Sequence, residues 1–104
     1  MSRRLSILVV DDDARQAQLL AEAVGRMGHR TQVSINPEDA LELLKKEVFH
    51  LVITDMRMPG IDGLSFLRQI KALDADTEVI LVTAYASVGS AVEAIKIGAV
   101  DYFE

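Results

Sequence analysis

The sequence has no cysteine, which excludes disulfides, thiolate zinc sites and a cysteine nucleophile. Its two histidines, His29 and His50, are too few for a histidine-rich metal site. Basic residues are the minority, 11 against 16 acidic ones, for a net charge of −5. A segment that binds DNA or RNA would show a basic face, so direct nucleic-acid binding is not expected. No apolar run approaches the roughly 18 residues of a membrane span. The first residues, Met1 to Arg4, followed by a six-residue apolar stretch, are too short for a signal peptide and lack its cleavage site. The 104 residues make one small domain, expected to be soluble and cytoplasmic.

What is present is an alternation of apolar and amphipathic runs along the whole length. Leu5 to Val10 is a short branched run that stops at Asp11, Asp12 and Asp13. Residues 14 to 27 have helical period, with Ala17, Leu20, Ala21, Val24 and Met27 on one stripe and Gly28 as the stop. Arg30 to Ile35 alternates as an edge strand does. Asn36 and Pro37 form a cap followed by proline at the first helical position, which predicts a second helix over 37–47. Leu51 to Thr54 is a buried strand ending at Asp55, and Met58 to Gly63 has turn chemistry. A third helix is expected from about Gly63 to Leu73, a strand from Glu78 to Val82, a fourth helix from Ser87 to Ile97 and a fifth strand from Val100 to Phe103. Strands that are apolar on both faces, each followed by a helix, predict an α/β fold with a parallel sheet covered on both sides.

In such sheets, ligands bind beyond the carboxyl ends of the strands. The first strand delivers Asp11, Asp12 and Asp13 to that edge, the third delivers Asp55, and the fourth delivers Thr83. Converging carboxylates do not stay ionised together without a cation. Oxygen donors without histidine or cysteine suit a hard ion such as Mg²⁺. An aspartate beside Mg²⁺ can act as a nucleophile toward a phosphoryl group, with a hydroxyl such as Thr83 bonding a phosphoryl oxygen. Asp13 is left open between this cluster and a plain helix cap.

The run Ile7 to Asp13, the run Leu51 to Gly63 with its Asp-x-x-Met-Pro-x-x-Asp-Gly pattern, Val79 to Ala84, and Gly98 to Phe103 together resemble the receiver domain of bacterial two-component response regulators. The resemblance runs nearly end to end. It implies a flavodoxin-like, doubly wound sheet of five parallel strands in the order 2-1-3-4-5. It implies that Asp55 is phosphorylated by a sensor histidine kinase, and that Asp11, Asp12, Asp55 and the backbone carbonyl of Arg57 hold Mg²⁺. It further implies that Thr83 and Tyr102 switch position on phosphorylation, and that the side chains of Arg57 and Tyr85 tune hydrolysis of the phosphoryl group. The family's active-site lysine and last helix are expected after Glu104, so residues 1–104 are expected to be a receiver domain cut short of its final helix. Thr83 to Val88 and Ala91 to Glu104 resemble most the receivers that precede an AAA+ ATPase working with an alternative sigma factor, followed by a DNA-binding helix-turn-helix. A receiver homodimer is a further expected partner. By this resemblance the chain is a switch acting chemically only on itself.

Two other readings compete. A haloacid-dehalogenase-type phosphohydrolase would use Asp11 as nucleophile in an Asp-x-Asp-x-Thr/Val motif, but Arg15 stands where Thr or Val belongs. A flavodoxin needs a hydroxyl- and glycine-rich phosphate loop after the first strand, where three aspartates would repel the flavin phosphate. Met56 and Met58 read as gap fillers. Lys45 and Lys46 with Glu42 and Glu47 read as a solvated helix face. His29 and His50 fall in loop positions and receive no assignment.

Overall fold

The computed structural model describes residues 4–55, 57–58, 60–82, 98 and 101–103. The chain runs β1 (Ser6–Val10), α1 (Ala14–Arg26), β2 (Arg30–Ser34), α2 (Pro37–Lys46), β3 (Leu51–Asp55), β4 (Arg57–Met58), β5 (Ile61–Asp62), α3 (Gly63–Leu73), β6 (Glu78–Val82) and β7 (Asp101–Phe103). Five strands form one sheet in the order β2-β1-β3-β6-β7, every neighbouring pair parallel. With the two-residue strands β4 and β5 set aside, this is the expected order 2-1-3-4-5. The expected fourth helix, 87–97, lies outside the described residues.

The helix starts are built by side chains that satisfy otherwise orphaned backbone N–H groups. Asp13 Oδ1 accepts from the N–H groups of Arg15 and Gln16 at 3.0 and 3.2 Å, opening α1. Asn36 Oδ1 accepts from the Asp39 N–H at 2.8 Å while Pro37 occupies the first turn of α2. Glu38 and Asp39 stand at the positive end of α2 and Lys45 and Lys46 at its negative end, as the helix dipole favours. Asp62 opens α3 by accepting from the Ser65 N–H at 2.9 Å. After α1 the chain turns at Gly28, whose φ of +97° a side chain would resist.

The alternation along β1 sorts its side chains to two cores. Leu8 and Val10 join Val52, Val79 and Leu81 beneath α2 and α3, where Phe66, Leu67 and Ile70 are fully enclosed. Ile7 and Val9 join Ile53 beneath Ala17, Ala21 and Val24 of α1. The sheet is thus covered on both faces by helices, as expected. Met58 belongs to the first core, in line with its reading as a gap filler.

The segment read as a bare turn differs in detail. Gly60, at a φ of +90°, reverses the chain, and Arg57–Met58 pairs antiparallel with Ile61–Asp62 around it. Strands of two residues carry no periodicity, so only the turn residues were visible in the sequence. Lys45 and Glu42 form an exposed ion pair at 3.3 Å, as a solvated helix face does.

Among the described residues, Phe66 is the largest fully buried side chain, and it sits between α3 and the sheet. Replacing Phe66 with alanine is expected to cost about 3–5 kcal/mol of folding stability, a large share of what a small domain has. Urea denaturation of the two proteins measures this. A loss below about 1 kcal/mol would mean that the ring is not enclosed as described.

Candidate functional site

The acidic cluster is made by strand ends. The β1 ladder continues past Val10 through an Asp11 N–H bond to the Ser34 carbonyl at 3.1 Å, so the backbone of Asp11 is still held by the sheet. The next strand over, β3, ends at Asp55 in register with the end of β6, where Val82 is its partner. Carboxylate oxygens of Asp11, Asp12 and Asp55 lie within 4.8 Å of one another. Asp11 and Asp55 are half-buried and Asp12 is exposed. Three oxygen donors of full negative charge, with no nitrogen or sulfur ligand among them, are the donor set of a hard divalent cation.

Asp13 does not join the cluster but orders it. Its own N–H donates to Asp11 Oδ1 at 2.9 Å, and its carboxylate caps α1. The question left open at Asp13 is therefore settled: it is the helix cap, and through its backbone it steadies the Asp11 carboxylate. Burial pushes the pKa of Asp11 above 3.8. The Asp13 N–H opposes that rise, and the charges of Asp55, Asp12 and Asp13 add to it. Asp62, the other aspartate of the Asp-x-x-Met-Pro-x-x-Asp-Gly run, has another task. The Ser65 N–H, chief among its hydrogen bonds, holds its pKa below 3.8, as suits a helix cap that stays ionised.

Other expected site residues are placed only in part. Arg57 stands two positions after Asp55 at the start of the short antiparallel pair, with Asp62 as its register partner. Thr83 follows the last residue of β6 and, with Tyr85, lies outside the described residues. Tyr102 is the central residue of β7, in register with Leu81, and its side chain is outside the description. Beside the cluster, a cleft of about 570 Å³ runs between the sheet and α1, with Asp11 and Asp55 at its acidic end and Val9, Ile53, Leu19 and Leu20 along it.

Residues 7–104 match the response regulator receiver domain family. The transcriptional regulatory protein ZraR of Escherichia coli strain K12 is 42% identical over 98 residues, which are 94% of this chain and 22% of ZraR. A solved response regulator protein from Burkholderia pseudomallei superposes with a TM-score of 0.89 at 32% identity, covering 95% of this chain and 58% of that one. That structure holds a phosphorylated aspartic acid, a calcium ion and citrate. The beryllofluoride-activated NtrC4 receiver domain dimer superposes with a TM-score of 0.90 at 32% identity, covering 95% of this chain and 82% of that one. The chain spans about a fifth of the length of the curated transcriptional regulators it matches.

Replacing Asp11 with asparagine keeps an oxygen to accept the Asp13 N–H but removes one of the three converging charges. A carboxyl whose pKa is raised by folding binds protons more tightly in the folded state, so its ionised form burdens the fold at neutral pH. That burden is relieved as pH falls through the raised value toward 3.8. Asp11→Asn is therefore expected to raise the thermal midpoint in metal-free buffer at pH 7, with a gain that shrinks as the buffer is acidified. A midpoint unchanged or lowered at pH 7 would contradict the convergence.

Proposed function

The chain belongs to the response regulator receiver domain family, and from that premise we propose that it is a phosphoacceptor switch whose reactive residue is Asp55. The observation that carries this reading is the meeting of Asp11, Asp12 and Asp55 within 4.8 Å at the carboxyl ends of adjacent parallel strands. One oxygen of the Asp55 carboxylate attacks the phosphorus of a phosphohistidine on a sensor histidine kinase. The P–N bond breaks and the imidazole nitrogen keeps its electron pair, leaving an acyl phosphate on Asp55. The three carboxylates and the Arg57 backbone carbonyl would hold Mg²⁺, which would supply positive charge to offset the phosphoryl oxygens against the acidic cluster.

The remaining residues take the roles that membership implies. Thr83 follows β6, whose last residue neighbours Asp55, and its hydroxyl bonds a phosphoryl oxygen. Tyr102, on the neighbouring edge strand β7, switches position together with Thr83 on phosphorylation. The side chains of Arg57 and Tyr85 tune hydrolysis. The likeness to ZraR supports a parent protein that regulates transcription, and the resemblance of Thr83 to Glu104 to one receiver subgroup implies an AAA+ ATPase and a DNA-binding helix-turn-helix as its output. The NtrC4 dimer also supports a receiver homodimer. No helix among the described residues is long and apolar enough to cross a membrane.

Acetyl phosphate is the probe that needs no kinase. With Mg²⁺ present, the protein is expected to gain one phosphoryl group, and reductive trapping followed by peptide mass mapping is expected to place it on Asp55. Asp55→Asn is expected to abolish the gain. A label on Asp11 would favour the phosphohydrolase reading instead, and labelling that proceeds undiminished in chelator would remove the role given to the cation.

A further inference from the structure

At the other end of the sheet, the entry of β1 is held by two imidazoles. The Leu5 N–H donates to His29 Nδ1 at 3.0 Å, and the Ser6 N–H donates to His50 Nδ1 at 2.9 Å. The carbonyls of the same two residues accept from the Arg30 N–H at 2.8 Å and from the His50 N–H at 2.9 Å. Successive backbone groups of a strand face opposite neighbours. His29 therefore serves the side toward β2 and His50 the side toward β3. Each imidazole stands where one more rung of the ladder would need a carbonyl oxygen. Both rings are half-buried, and the strand they start is the central one, flanked by β2 and β3.

A backbone N–H can only donate, so the nitrogen facing it must carry a lone pair and no proton. The neutral imidazole with its proton on Nε2 meets this condition. The doubly protonated ring does not, and it turns an acceptor into a donor aimed at a donor. We propose that His29 and His50 form an acid-sensitive latch on the entry of the central strand: neutral, they complete the ladder, and protonated, each releases one rung. The stabilisation is present while the rings are neutral and is lost as Nδ1 takes up a proton and can no longer accept. Among the described residues, the charged groups at this end on the His29 side include Arg26 closing α1, Arg4 before β1 and Arg30 opening β2. On the His50 side Glu78 opens β6, its N–H donating to the His50 carbonyl, while Glu47, closing α2, accepts from Gln32 of β2 on the other side of β1. The latch is separate from the acidic cluster, which lies at the opposite end of β1, so its failure leaves the phosphoacceptor reading untouched.

Asparagine places an acceptor oxygen close to where Nδ1 stands and does not titrate. The test compares the wild-type chain with the H29N/H50N variant by urea unfolding from pH 7.5 to 5.5. The wild-type unfolding constant is expected to rise by roughly tenfold or more across that range, with the variant nearly flat. Equal pH dependence of the two proteins would overturn the proposal. If the variant does not fold, the wild-type chain decides by NMR. Ring nitrogen shifts are expected to show His29 and His50 neutral with unprotonated Nδ1 at pH 7.5. Amide exchange at Leu5 and Ser6, corrected for its intrinsic pH dependence, is expected to accelerate roughly fivefold or more at pH 5.5. A proton on Nδ1 at pH 7.5, or no acceleration, would overturn it.

Discussion

Mutual repulsion of Asp11, Asp12 and Asp55 is the constraint around which the rest of this domain is arranged. Each carboxylate sits at the end of a strand, and strands in a parallel sheet cannot splay apart without losing the ladder on either side. Asp11 is tied to β2 through the Ser34 carbonyl, and Asp55 is in register with Val82 of β6. The sheet therefore holds like charges within 4.8 Å, where an isolated peptide would let them separate. Burial and the neighbouring charges raise the pKa of Asp11 for this reason. A site built this way is strained toward positive charge, and a divalent cation or a proton relieves it.

The surrounding elements supply the rigidity that such an arrangement needs. Phe66, Leu67 and Ile70 of α3 lock one face of the sheet, and Ala17, Ala21 and Val24 of α1 the other. Asp13 links the cluster to α1, since one residue both caps the helix and donates its N–H to Asp11. Gly60 and the short pair β4–β5 bring the chain from Asp55 directly into α3, whose cap, Asp62, belongs to the same sequence run. Asp55 of the acidic cluster and the cap and first residue of the helix that buries the core thus lie within nine consecutive residues, 55 to 63.

Much of this was legible in the sequence because it is written in local patterns. Branched apolar runs ending in aspartate marked β1 and β3. Glycine and proline at their usual helix positions marked the bounds of α1 and α2. The strand order followed from family resemblance and agrees with the observed sheet. What escaped was written in contacts between distant residues. His29 and His50 look like idle loop residues in the sequence, because their partners, Leu5 and Ser6, lie 24 and 44 positions away. Likewise, a ladder as short as β4–β5 leaves no period to read, and Asp13 could not be assigned until its bonds to Arg15, Gln16 and Asp11 were placed.

The three strand-end aspartates form one candidate cation site. Paramagnetic broadening by Mn²⁺, titrated in at substoichiometric amounts into the isotopically labelled chain, tests it most directly. Amide resonances of residues 11–13, 55 and 57 are expected to broaden first, while those of the acidic turn at Asp74 and Asp76 remain sharp. Broadening that begins at Asp74 and Asp76, or that spreads evenly over the acidic residues, would contradict it.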